Sequence, residues 1–291
     1  MTVPNQIVKN IVVIGGNGFL GKRICQQAIE KGYSVTSISG SGKKPTPYRN
    51  EDSNWMQKVN WLKGNVFEPS TYKPLLIDAT AVVSTIGILF ENDQYKRTVS
   101  SGDGILGLVS QIFKSSTINP MEKRPPTVDS EGAIDITYER YNTESAIVAA
   151  ESLIEAKSEV QSSEDVKKIA PAFVYISADR GFPGIPMGYI ESKRKAEFEL
   201  YQLQPFIRPI ILRPGFMYDP SEKESTNLRS KLKKALDGVN LVNEKLLRNA
   251  LDGIVRPNIS TVTVAKWCID RIENESFHGP VMLDEMINIQ K

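Results

Sequence analysis

The sequence predicts an α/β protein, a doubly wound parallel sheet with helices on both faces. Three observations point there. Apolar, β-rich runs alternate with helix-periodic runs through the first 90 residues. The apolar runs are continuous rather than alternating, as strands covered on both faces are. The first of them ends in glycines spaced three apart and opens directly into a helical pattern.

Taken in order, KNIVVIGG is a short apolar strand closed by glycine, and GKRICQQAIEKG is a helix with Gly32 as its stop. YSVTSIS and VNWLKGNV are further strands, PLLIDAT is a short helical turn, and AVVSTIGIL is a buried strand. Strands joined by helices of this length form right-handed crossovers on one parallel sheet. Residues 91–137 break the rhythm with Gly, Ser, Pro and charge around ILGLVSQIF, and are expected to be an insertion lying over a cleft. TYERYNTESAIVAAESLIEA resumes a helix, KSEVQSSEDVKK is a solvated extension, and PAFVYISA is the next buried strand. GYIESKRKAEFELYQL is a helix broken by Pro205, and RPIILRPG is a strand. The basic amphipathic LRSKLKKALDGV, then NEKLLRNALDGIV and TVAKWCIDRIEN, are helix-like. One domain over 1–291 is expected, with a small C-terminal substrate or lid region at 216–260.

Composition excludes several functions. Lys and Arg total 36 against 34 Asp and Glu, a net charge of +2, so nothing pulls the chain toward nucleic acid. Two cysteines, without a C-x-x-C, and one histidine argue against a disulfide framework and against a His/Cys metal site. No apolar run reaches the ~20 residues of a membrane span. The ten residues before the first strand carry one basic residue, Lys9, unlike a signal or transit peptide, which predicts a soluble intracellular, cytoplasmic protein.

The glycine-rich turn is the first candidate site. Gly15 permits the tight turn, Gly18 lets a pyrophosphate approach the backbone, and Gly21 lets the helix close against the strand. With Asn17, Phe19 and Leu20 between them, they present a helix N-terminus to phosphate. This is the Rossmann-like setting for a dinucleotide. The second strand ends SISGSGKK, without the Asp or Glu that accepts hydrogen bonds from an NAD ribose. Ser39 and Ser41 offer hydroxyl donors and Lys43 and Lys44 offer positive charge, so NADP(H) is favoured over NAD(H). An ordinary solvated basic loop is the other reading of the same residues.

The second candidate is Tyr189-x-x-x-Lys193, with Ser177 twelve residues earlier at a strand end. Of ten tyrosines, only Tyr189 has a lysine four residues on, which puts the two on one helix face. A cation beside a phenol lowers its pKa from near 10. Such a tyrosine can hand a proton to a carbonyl oxygen that Ser177 holds. A tyrosine packed beside the sheet with a surface lysine is the alternative.

These residues, with Lys195-Ala196-Glu197, LRPG at 212–215 and Arg256-Pro257 before STVTVAKW, resemble an extended or atypical short-chain dehydrogenase/reductase from about residue 8 to 285. The resemblance implies Tyr189 as general acid/base, Lys193 as ribose ligand and tuner of Tyr189, and Ser177 as carbonyl orienter. It also implies Asn142 as the helix-4 asparagine, Asn65 and Val66 near adenine, and Pro214, Gly215 and Phe216 beside nicotinamide. Asn65 stands where many members carry Asp, and the Gly/Pro-rich DRGFPGIPMG separates Ser177 from Tyr189. IVVIGGNGFLGKRICQ, YISADRGFPGIPMGYIESKRKAE and RPIILRPGFMYD are similar to a fungal mitochondrial branch associated with coenzyme Q (ubiquinone) biosynthesis, related to the NADP-binding accessory subunits of respiratory complex I. That similarity implies a matrix address peripheral to the inner membrane, a quinone-like small molecule, and a multi-enzyme complex as partner. It leaves two uses of the nucleotide open, carbonyl chemistry or a regulatory or assembly role without chemistry. The basic stretch with Arg229, Lys231, Lys233 and Lys234 beside Leu228, Leu232 and Leu236 fits a solvated helix or one resting on an anionic membrane.

Overall fold

A computed structural model describes residues 9–47, 52–89, 136–159, 170–180, 185–221, 237–238, 241, 245 and 256–288. Its frame is a seven-stranded sheet in the order β3-β2-β1-β4-β5-β6-β9. The strands are β1 (Asn10–Ile14), β2 (Ser34–Ser39), β3 (Val59–Lys63), β4 (Ala79–Ser84), β5 (Ala172–Ile176), β6 (Arg208–Arg213) and β9 (Gly279–Met282). Every pairing is parallel, from Ile11 against Val35 and Ala81 to Leu212 against Val281. The order reverses between β1 and β4, which leaves a crevice at the carboxyl ends of those strands, where ligands of open α/β sheets bind.

The continuous apolar runs divide by residue parity between two cores. Ile11 and Val13, Ala81 and Val83, Val174, Ile210 and Leu212 face one layer. It holds α1 (Gly21–Glu30), α2 (Asp52–Met56), α5 (Thr261–Glu273) and α6 (Leu283–Asn288). Val12 and Ile14, Val82, Phe173 and Tyr175, and Ile211 face the other layer. That side carries the 3₁₀ turns Pro69–Thr71 and Lys73–Leu76, then α3 (Ser145–Ser158) and α4 (Met187–Gln202). α1 packs on α5 through Ile24, Cys25 and Ala28 against Val264, Ala265 and Cys268.

Differences from the sequence expectations are local. The strand expected over 81–89 ends at Ser84, and the next residues turn into the site. The helix expected from Thr137 begins with a wide turn, Glu139–Glu144, of π-helical hydrogen bonding before α3. β9 was not expected. It is four residues long, with Gly279 at φ +112° and Pro280 at the sheet edge, a composition that hides a strand. A two-stranded parallel pair joins β7 (Met217–Tyr218) to β8 (Ile259–Ser260). Most of the expected insertion and of 216–260, including the basic stretch from 228, lies outside the described residues.

Candidate dinucleotide and Tyr-Lys site

The glycine turn sits where β1 meets β4. Gly15 has φ +84°, and a Cβ there would lie 2.5 Å from Thr85 Oγ1, so the turn is pressed onto the end of β4. Thr85 Oγ1 donates to the Ile14 carbonyl at 2.9 Å, and the Gly18 N–H donates to Gly15 O at 2.9 Å. A Cβ on Gly21 would come within 2.3 Å of Gly15 O, so α1 closes directly on the turn. A Cβ on Gly18 would be 3.0 Å from Gly15 O and meet nothing else within 4 Å among the described residues. Among these residues the outer side of the turn is therefore open to a ligand. Among the described residues no side chain caps the N-terminus of α1, and no acid occupies its first turn. These residues fit a pyrophosphate group.

Asn17 links this turn to the loop after β2, donating from Nδ2 to Ser41 Oγ at 3.0 Å and to Lys43 O at 3.4 Å. Asn65, after β3, spends its amide locally: Nδ2 donates to Glu68 Oε1 at 2.8 Å, and Oδ1 accepts from the Phe67 N–H at 3.1 Å. Leu20 and Val66 are buried in the two cores, so they shape the site from beneath.

Twelve residues beyond Ser177, Tyr189 lies in the first turn of α4, and Lys193 one turn on is buried. The ammonium of Lys193 donates to the Ile176 carbonyl at 2.9 Å and lies 4.7 Å from the Tyr175 ring centre and 6.0 Å from that of Tyr189. Burial brings its pKa down to about 7, with Glu197 opposing. Burial pushes the Tyr189 phenol up to about 12, and Arg194 opposes that shift. The lowered phenol expected from Lys193 is thus replaced by a raised one, because desolvation outweighs the opposing charge of Arg194. Asn142 is fully buried and ties the loop after β4 to α4: its Oδ1 accepts from the Ile88 N–H at 2.8 Å, and Nδ2 donates to Ile88 O and Ser192 Oγ, each at 3.1 Å.

Relatives of the whole chain sharpen the picture. A family model for NAD-dependent epimerases/dehydratases matches residues 11–92. The Saccharomyces cerevisiae protein named MIOREX complex component 2 is 41% identical over 284 residues, spanning 97% of this chain and 99% of that protein. The chain belongs to the epimerase/short-chain dehydrogenase/reductase family of NAD(P)-binding domains. An uncharacterized chloroplastic protein of Arabidopsis thaliana is 27% identical over 96% of this chain and 76% of its own length. Among solved structures, ElxO with NADP bound superposes with a TM-score of 0.54 at 14% identity, over 98% of this chain and 100% of that one. Thermoplasma acidophilum aldohexose dehydrogenase gives 0.51 at 14%, over 94% and 91%. These two likenesses concern the fold.

Within this short-chain dehydrogenase/reductase frame, Ser177 departs from the expected pose. Its hydroxyl donates to the buried Glu197 carboxylate and accepts from Arg194 Nη1 at 3.0 Å. Glu197 is also held by Arg213, and Arg194 Nη2 donates to the carbonyls of Ala178 and Asp179 at 2.8 and 3.0 Å. A buried carboxylate needs such partners, and Ser177 is one of them. The segment after β6 runs alongside: Asp179 N–H donates to Pro214 O at 2.9 Å, Gly215 abuts Leu283, and Phe216 O accepts from the Ile259 N–H.

Several site residues escaped sequence reasoning. A Cβ on Gly87 would lie 2.7 Å from Lys193 Nζ and 3.0 Å from Asn142 Oδ1, so only glycine leaves the lysine its place. Tyr138 sets its ring edge-on to Tyr189, centres 6.3 Å apart, and donates to Leu89 O at 3.0 Å. Arg23, on the first turn of α1, holds Asp219 through Nε at 3.0 Å and Nη2 at 3.1 Å, with Lys22 Nζ at 3.5 Å. Only the K-A-E quoted with Lys195 held a signal, since its Glu197 is four residues beyond Lys193. Among the described residues no His/Cys/Asp/Glu group has a metal-site arrangement, and no helix is long and apolar enough to cross a membrane.

Proposed function

We propose that the chain is an NADP(H)-dependent oxidoreductase of the atypical short-chain dehydrogenase/reductase type, acting on a carbonyl or quinone-like compound. The observation that carries this is the convergence of Tyr189, buried Lys193 and Asn142 beside Gly87, at the same sheet end as the open glycine turn. When bound, NADPH supplies hydride to a carbonyl carbon. Tyr189 supplies the proton to the carbonyl oxygen, and a phenol raised to about 12 holds that proton across the neutral range. Lys193, brought down to about 7, changes charge near neutral pH beside the Tyr189 ring. The preference for NADP(H) rests on Ser39, Ser41, Lys43 and Lys44 and the missing carboxylate after β2. The coenzyme Q setting, mitochondrial matrix address and inner-membrane association rest on the sequence resemblance. The name of the yeast relative, a complex component, supports work within an assembly.

A specific observation favours a second reading, a nucleotide-binding regulatory or assembly subunit. The Ser177 hydroxyl is committed to Glu197 and Arg194 rather than free for a substrate oxygen.

Two variants separate the readings. Tyr189→Phe should abolish turnover, or quinone content in complemented cells, while NADPH affinity stays within about threefold. Gly18→Val should remove nucleotide binding, because even a Cβ there is tight against Gly15 O. Full function of Tyr189→Phe alongside failure of Gly18→Val overturns the oxidoreductase and supports the subunit. Native mass spectrometry of the purified protein identifies the nucleotide that co-purifies.

A further inference from the structure

Asp179 is a buried carboxylate that the Tyr189 chemistry does not use. It lies two residues past Ser177, beyond the carboxyl end of β5, and is 2% exposed. Its backbone is fixed from two sides: the N–H donates to Pro214 O after β6, and the carbonyl accepts from Arg194 Nη2. One carboxylate oxygen, Oδ2, accepts from Arg256 Nε at 2.6 Å, and Arg256 Nη2 donates to Asp284 Oδ1 at 2.8 Å. The other oxygen, Oδ1, is buried and has no hydrogen-bond partner among the described residues. A carboxylate oxygen brings lone pairs and no proton, so only a donor can satisfy it. Turning the group over would exchange one unmet oxygen for the other. A buried acceptor left in that state is unfavourable, and calls for a donor from outside the chain.

Ser177 beside it has the same polarity. Its single proton goes to Glu197, and Arg194 Nη1 occupies one lone pair, which leaves the second. Both residues therefore offer acceptors at the sheet end where ligands of open α/β sheets bind. Arg194 joins them to the Tyr-Lys pair. It follows Lys193 in α4, holds the Ser177 hydroxyl and the Ala178 and Asp179 carbonyls, and opposes the raised pKa of Tyr189.

We propose that Asp179 is a specificity-determining residue whose Oδ1 accepts a hydrogen bond from a hydroxyl group of the substrate, which makes that substrate a hydroxylated member of the carbonyl or quinone-like class. The proposal rests on the reading above that this sheet end takes such a compound, and names the group by which it is chosen. An unsubstituted quinone brings acceptors alone and leaves Oδ1 unmet. A ring hydroxyl brings the missing proton, and its bond to a desolvated carboxylate is stronger than the same bond in water.

The test is calorimetric titration of the NADPH-loaded protein, without oxygen, with hydroquinone, 4-methoxyphenol and 1,4-dimethoxybenzene. These share a ring and differ in their O–H donors. In wild type the two phenols should bind about tenfold more tightly than 1,4-dimethoxybenzene, the effect of one hydrogen bond to a carboxylate. Asp179→Ala should bring all three within about twofold of one another. Asp179→Asn should do the same with the shape retained, because its oxygen stays on Arg256 and its Nδ2 stands where Oδ1 stood. That isosteric variant keeps the test decisive if the alanine variant misfolds. An Asp179 that only anchors Arg256 would weaken all three ligands equally and preserve their order, which overturns the proposal. Equal affinities in wild type, as for an oxygen met by water alone, or no binding of the phenols, overturn it too. NADPH oxidation with quinones and hydroxyaldehydes is followed in parallel. Absence of turnover there overturns the oxidoreductase reading, whereas the role of Asp179 stands or falls on the order of the three ligands.

Discussion

Lys193 is a buried amine whose pKa is brought down to about 7. Unfolded, it titrates near 10.4. Between those values the unfolded chain binds a proton that the folded chain does not, so stability rises with pH through that window. Below pH 7 both states become charged, and the folded state bears the full cost of the buried ammonium. Urea unfolding should therefore give a more stable protein at pH 9 than at pH 7. Lys193→Met should be stabilised at pH 7 and lose the difference between the two. An equal pH response in the variant would show that other groups carry it. The buried phenols of Tyr72, Tyr175 and Tyr189 are raised and act in the opposite sense, above pH 10. The Tyr189–Lys193 pair was legible because i, i+4 spacing is local. Desolvation of the pair was not, because it depends on Tyr175, Gly87 and Asn142 arriving from other elements.

At the scale of elements, the glycine turn and α1 were readable from eleven consecutive residues, IVVIGGNGFLG, since turn chemistry, strand and helix start share one stretch. The end of α5 was not readable. Its last carbonyls, with those of the following turn, are collected by Arg208 at the start of β6: Arg271 O at 3.2 Å, Ile272 O and Asn274 O at 3.0 Å, and Phe277 O at 2.6 Å. No local signal in α5 announces a cap supplied from more than sixty residues earlier. A guanidinium there both satisfies orphan carbonyls and meets the negative end of the helix dipole. Arg208→Met should cost about 3 kcal/mol in urea unfolding, from several charge-assisted bonds lost at once. Arg208→Lys should recover a part, since an ammonium can still donate but lacks the fork. β9 escaped notice for a related reason, since its membership in the sheet depends on β6 rather than on its own glycine and proline.

For the molecule as a whole, the doubly wound order was legible from rhythm alone, but the ties between its distant parts were not. Asp219, beyond β7, is buried against Arg23 and Lys22 on α1, 196 residues away in sequence for the arginine pair. Asp219→Ala leaves buried cationic groups without that carboxylate, and should cost about 3–5 kcal/mol. Near- and far-ultraviolet circular dichroism should follow one coincident transition in wild type, because the tie and the α1–α5 contact join early and late elements into one core. Two separate transitions would refute that unity.

The α1–α5 contact also sets an order of events during synthesis. Ile24, Cys25 and Ala28 meet β1, β2 and α2 early, but their outer side is covered only once Val264, Ala265 and Cys268 have emerged from the ribosome. The loop that would cradle phosphate is among the earliest segments made, yet the helix behind it lacks its outer layer until translation is nearly over. Nucleotide capture is thus a property of the released chain, and a nascent chain arrested at residue 255 should fail to retain NADPH on a matrix that retains the finished protein.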